Sequence, residues 1–261
     1  MTAAHDGPED DKPMPLLDHL IELRKRLIYA LISFFAVFFI TFYFAKPIFD
    51  FLIEPAKDQG YKLIVLDIFE FFFVTVKLSA FVALIVGFPL IAAQLWLFVA
   101  PGLYRKEKRA FLPFLVATPF MFYAGCVIMY YVVLPYVINF MLTQYAPPDI
   151  EKTLRSSDYL QRVLQLVFAF GFAFEMPVLL TLMVRVGIVS VAGLRSKRRY
   201  AVVLCFIVAA VLAPPDVISQ LALAFPLLAF YEISILIGAS MERKREEEQK
   251  AEDAANDSSG S

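Results

Sequence analysis

Long stretches almost free of charge alternate with short islands crowded with arginine and lysine. The clearest island is Ala100-Pro101-Gly102-Leu103-Tyr104-Arg105-Lys106-Glu107-Lys108-Arg109, set between two apolar runs. Pro101 and Gly102 end the helix before it, because proline cannot continue a helix and glycine is the usual residue past its end. Four cations surround the one carboxylate, Glu107. The island is too short for a domain and too charged for lipid, so it reads as a loop at a membrane surface. Composition agrees: 60% of the residues are hydrophobic, against roughly 45–50% in soluble domains. Mean hydropathy is +0.68. The net charge of -1 leaves no basic face for nucleic acid. Cys126 and Cys205 lie inside apolar runs, and no CxxC is present, so both read as small packing residues.

Taken in order, Met1–Pro13 is acidic, proline-containing and expected to be mobile; no small-residue cleavage site marks it as a signal peptide. Met14–Arg26 reads as an amphipathic helix with Leu16, Leu20, Leu23 and Leu27 on one face, able to lie in the membrane interface. Leu27–Phe44 is the first span, and Ala45–Glu70 a loop with short helical pieces. Phe71–Val99 is the second span, interrupted by Lys77 and Gln94 and bent at Pro89. Phe111–Leu142, with Pro113, Pro119 and Pro135, is longer than a span needs and should be tilted, kinked or projecting. Thr143–Asp158 is a second loop on the far side. Tyr159–Val186 is the fourth span, broken by Glu175 and Pro177. After the island Gly187–Arg199, Tyr200–Ala213 and Ser219–Ile237 form a hairpin too short to reach the far surface. Glu242–Ser261 is charged, poor in apolar residues and expected to be disordered. The fold class is thus an all-α integral membrane protein of six kinked spans over residues 14–240. Its cations favour the side of the termini by about three to one, which makes both ends cytoplasmic.

Several polar residues could carry function. Glu175 sits near the middle of a span, where a carboxylate is costly unless paired, protonated or hydrated. It serves either a hydrogen bond to another helix, through Gln94 or Gln165, or a polar spot in a wet cavity. Asp216, after Pro214-Pro215, caps the sixth helix. Gln220 and Glu232 could join the short hairpin to a partner helix. Glu22 is spaced to pair with Arg26, and Glu107 is neutralised by its neighbours. No metal-ligand spacing, nucleophilic triad or glycine-rich phosphate loop appears.

Four motifs in order then resemble one family: His19-Leu20-Ile21-Glu22-Leu23-Arg24-Lys25-Arg26, Trp96–Tyr104 with Glu107, Phe170–Val178, and Leu212-Ala213-Pro214-Pro215-Asp216. The chain resembles TatC, the receptor subunit of the twin-arginine protein translocase, over about Leu16 to Ile237. The resemblance implies a non-enzymatic receptor, without cofactor or metal, in the bacterial cytoplasmic membrane. It implies binding of twin-arginine signal peptides of folded precursors by Glu22 and Glu107, with Phe98, Tyr104 and Arg24 in the same patch. It also implies assembly with TatB, TatA and other TatC copies, and export driven by the proton-motive force. Glu175, near Gln94, would face a concave pocket for the peptide's apolar part. Gln220, Asp216 and Glu232 would mark the partner-helix contact. Ala213 stands where relatives can carry a threonine, so one partner hydrogen bond would be missing. The rival readings are a proton-coupled solute transporter using Glu175 and an intramembrane protease using Glu175 and Asp216.

Overall fold

The computed structural model describes residues 16–99, 105–145, 153–213 and 216–259. Its first helix, α1 (Leu16–Tyr43), is unbroken. The expected separate interfacial helix is therefore the first part of the span itself. The reason is local: no proline or glycine occurs anywhere in that stretch. Its 28 residues reach about 42 Å at about 1.5 Å each. That exceeds a hydrocarbon core of about 30 Å, so the charged residues before Leu27 can project beyond it.

The segment after α1 folds as α2 (Ala45–Asp58) and a three-residue strand β1 (Lys62–Ile64). The second apolar run is two helices, α3 (Glu70–Val86) and α4 (Phe88–Val99), bent by 55°. The break falls at Gly87, two residues before the predicted Pro89. The Gly87 N–H bonds the Ala83 carbonyl at 2.9 Å, and its own carbonyl accepts from Leu90 at 3.0 Å. Proline at 89 has no N–H to continue the ladder. The third run is α5 (Arg105–Ile128), a π-helical turn at Met129–Val133, then α6 (Leu134–Tyr145). The wide turn comes just before Pro135, where a regular turn would lack a donor.

A strand pair was not foreseen. β2 (Thr153–Arg155) runs parallel to β1, with Lys62 opposite Thr153 and Ile64 opposite Arg155. The pair clasps two loops distant in the chain. Glu70 locks the clasp. Its Oε2 accepts from the Leu66 N–H at 2.9 Å, and its Oε1 from the Ser157 N–H at 3.2 Å. Arg155 Nε lies 3.2 Å from the same Oε1. The carboxylate in turn raises the Arg155 pKa above its ordinary value, through the hydrogen bond first and its charge second. Two tyrosine hydroxyls fasten α2 to this cap, Tyr130 to the Phe51 carbonyl and Tyr159 to the Leu52 carbonyl.

From the clasp, α7 (Ser156–Arg185) runs straight through Glu175 and Pro177 without the expected break. A short α8 (Val191–Ser196) follows, with Gly187 at φ +80° in the turn before it. Then come α9 (Arg198–Leu212) and α10 (Val217–Ser259). The charged tail expected to be disordered continues α10 as helix to Ser259. Glutamate, lysine and alanine there are good helix formers. The mobile tail predicted at 1–13 lies outside the described residues.

Among the described residues four helices are long and apolar enough to cross a membrane, or five spans with the bent α3–α4 pair counted as one. Of the shorter helices left over, α9 is the longest, at 15 residues, against 14 for α2 and 6 for α8. The core centres on α7, whose span window is 67% buried, against 6% for α1. Lipid gives no hydrophobic drive between helices, so close packing must hold them. Gly125 and Gly171 permit that closeness between α5 and α7. A Cβ on Gly125 would sit 2.5 Å from the Phe170 carbonyl oxygen, and one on Gly171 2.6 Å from the Phe122 ring. Phe122 is fully buried and stacks on Phe88 at 3.7 Å. Both cysteines are free and buried.

Two consequences can be measured. Gly125→Val forces a side chain against main chain, and should cost about 1–3 kcal/mol, read as a lower melting temperature in detergent; an unchanged one would refute the close crossing. Glu70→Gln should speed amide exchange at Leu66 and Ser157 while leaving α5 protected, whereas unchanged exchange there would deny the carboxylate its clasp role.

Candidate functional site

The N-terminal part of α1 places His19, Glu22 and Arg26 on one helical face, since three, four and seven residues separate neighbours on one stripe. That face meets the end of α4, which presents Gln94 and Phe98 one turn apart. The two helices run in opposite directions here. His19 stacks on Phe98 with ring centres 4.5 Å apart. Arg26 Nη1 donates to Gln94 Oε1 at 3.4 Å. Arg26 Nε donates to Glu22 Oε1 at 2.6 Å.

The Glu22–Arg26 pair anticipated from spacing is therefore present, and Gln94 joins it from a helix far along the chain. Both charged side chains are about a quarter exposed, at 22% and 24%. A pair that wet is held by less than about 1 kcal/mol, so an incoming cation can compete for the carboxylate. Glu22 Oε2 accepts no hydrogen bond among the described residues. That oxygen is the free edge a second guanidinium could take. Arg24 is exposed on another side of α1. Phe98 is half-buried under His19. Tyr104 lies outside the described residues. Glu107 falls in the first turn of α5, and its side chain is outside them too.

Glu175 is 5% exposed, between α7 and α5. Its carboxylate faces the Thr118 hydroxyl and the Phe122 backbone of α5, and neither its Oε1 nor Thr118 Oγ1 reaches full hydrogen-bond geometry among the described residues. Neither glutamine offered as a partner serves it. Gln94 is used by Arg26, and Gln165 Nε2 donates to the Leu212 carbonyl at 3.0 Å. That carbonyl is at the end of α9, where helical partners run out. Glu175 is thus a buried carboxylate in a helix contact, not one presented to an open groove.

The hairpin residues point inward to each other. Asp216 Oδ1 accepts from the Ser219 N–H at 2.7 Å, the cap foreseen for α10. Gln220 Nε2 approaches the Phe206 carbonyl of α9 at 3.5 Å. Glu232 Oε2 accepts from Arg198 Nη2 at 2.6 Å, both about half exposed. Gln220 and Glu232 therefore tie α10 to α9. Among the described residues no group of histidine, cysteine, aspartate and glutamate could hold a metal ion. Sequence reasoning missed Glu70 and Arg155. Their signal was an acid at the first position of one apolar helix and a base just before another.

With this geometry in view, comparison with known proteins is direct. The family model for "Sec-independent protein translocase protein (TatC)" matches residues 18–226. A TatC of Magnetococcus marinus is 42% identical over 247 residues, covering 94% of this chain and 91% of that protein. One from Aquifex aeolicus is 42% identical, covering 91% of this chain and all of its own. One from Escherichia coli is 40% identical over 224 residues, covering 85% and 86%. A crystal structure titled as the twin arginine translocase receptor TatC superimposes with a TM-score of 0.76 at 40% identity, over 85% of this chain and 98% of that one. These matches give no support to the transporter reading, and the family is not one of enzymes. A mostly helical membrane scaffold, four sequence motifs and relatives matched along nearly their whole length converge, and the chain belongs to the TatC family of Sec-independent protein translocase proteins.

Proposed function

We propose that this chain is the receptor that binds twin-arginine signal peptides of folded precursors. It sits in the bacterial cytoplasmic membrane and assembles with TatA and TatB for export driven by the proton-motive force. With α9 and α10 counted as a short fifth and a sixth span, both termini are cytoplasmic. That orientation follows the cation bias and puts Glu22 and Glu107 on the side where precursors are made.

The observation that carries the reading is the free carboxylate edge of Glu22. It lies on the α1 face that packs against α4, the helix leading to the segment with Glu107. A guanidinium gives a carboxylate two parallel hydrogen bonds, and a lysine cannot reproduce that fork. Two carboxylates near one mouth would hold two consecutive arginines and discriminate against lysines. Phe98 and Tyr104 would flank the bound pair, and Arg24 would set the charge at its edge. Gln220, Asp216 and Glu232 mark the hairpin as the contact for a single-span partner, and further copies of the chain complete the complex.

The test uses the full chain in membranes with a photoreactive twin-arginine peptide. Glu22→Gln and Glu107→Gln should each lower crosslinking at least about tenfold, the size of one lost charge-assisted contact. The double variant should abolish it, and replacing the peptide's arginines by lysines should weaken it in the wild type. Undiminished crosslinking in the double variant would remove the mechanism.

A further inference from the structure

Lys77 stands alone among apolar residues of α3, two turns below Glu70. It is exposed and makes no ion pair or hydrogen bond among the described residues. A cation at membrane depth is costly unless something pairs with it. The signal-peptide site does not use it.

The helices α3 and α7 both start at the strand clasp and pack together side by side. Between them lies a groove of about 770 Å³, within the range of small-ligand sites. Its lining is ordered along the helix axes. Asp67 and Asp158 are at the clasp end, level with the helix starts. Lys77 is seven residues in, or about 10 Å at the helical rise. Phe81 and Leu164 lie about as deep or deeper. Side chains on a helix lean toward its N-terminus, which here is the mouth, so the Lys77 ammonium can reach up while its stem lies on apolar surface. Arg155 does not compete for an anion there, since it is paired with Glu70.

From mouth to depth the groove therefore offers anion, cation, then a mainly apolar wall, in which Gln165 is turned to the Leu212 carbonyl. A phospholipid with a primary amine has the matching order: ammonium outermost, phosphate beneath, acyl chains below. An anionic lipid without the amine would meet the acidic rim unpaired. We propose that the α3–α7 groove binds one phosphatidylethanolamine-type lipid. Its phosphate pairs with Lys77, its amine with Asp158 and Asp67, and an acyl chain lies over Phe81 and Leu164. The site stands on the spanning of α3 and α7 alone, and is independent of how signal peptides bind.

The full chain is purified from nanodiscs of equimolar phosphatidylethanolamine and phosphatidylglycerol, and retained lipid is weighed by native mass spectrometry. The wild type should keep one phosphatidylethanolamine in preference to phosphatidylglycerol. Lys77→Gln should lower that occupancy about tenfold, and Lys77→Arg should restore it. Asp158→Asn should shrink the preference for the amine lipid; it decides the matter by itself if Lys77→Gln does not fold. Equal retention of both lipids, an unchanged Lys77→Gln, or an unchanged ratio in Asp158→Asn would each overturn the site. So would a photoreactive group at Phe81 that captures a twin-arginine peptide instead of lipid.

Discussion

The crossing of α5 and α7 is the contact on which the scaffold depends. In lipid, apolar side chains gain nothing by leaving their surroundings, so helices associate through fit and interhelical hydrogen bonds. Here the fit comes from absence. Gly125 lets the Phe170 backbone approach, and Gly171 makes room for the Phe122 ring. Phe122 then stacks on Phe88 at the start of α4, carrying the contact to a third helix. Because α7 is held this way, its two ends are fixed as well. One end carries the strand clasp with Glu70 and Arg155, and the other leads to the short hairpin.

This rigid centre contrasts with α1. Only 6% of its span window is buried, and Thr41 makes one of its few polar links, to the Ser79 carbonyl at 3.0 Å. The Glu22–Arg26–Gln94 group and the His19–Phe98 stack fasten its other end to α4. Each of these is partly exposed and individually weak. A receptor surface made of such contacts can exchange an internal partner for an external one. Arg26 occupies one oxygen of Glu22 and, among the described residues, the other accepts nothing. Arg26 thereby holds the Glu22 carboxylate in one orientation.

Much of the fold could be read from the chain. Apolar runs gave the spans, Pro89 the bend that Gly87 completes, and Pro135 the irregular turn ahead of it. The Glu22–Arg26 pair and the Asp216 cap followed from spacing within one helix. What failed involved partners distant in sequence. The strands at Lys62–Ile64 and Thr153–Arg155 are too short for a periodic signal, and their pairing is long-range. Gln94 and Gln165 are offered to Glu175, as one of two readings, on polarity alone, yet one serves Arg26 and the other a helix end. Helix through Pro177 was missed because neighbouring packing can hold a membrane helix across a proline. The family motifs pointed to Glu107 and Tyr104, which no local physical signal distinguishes from an ordinary charged loop.

The account rests on Glu22 and Glu107 sharing one mouth. Cysteines at those two positions, in a chain whose Cys126 and Cys205 are replaced by alanine, can be joined by a bifunctional maleimide as long as two extended arginine side chains. A shared mouth predicts rapid crosslinking within one chain, at a rate unaffected by dilution of the protein. Two fully labelled cysteines that never crosslink, with the protein folded, would contradict it.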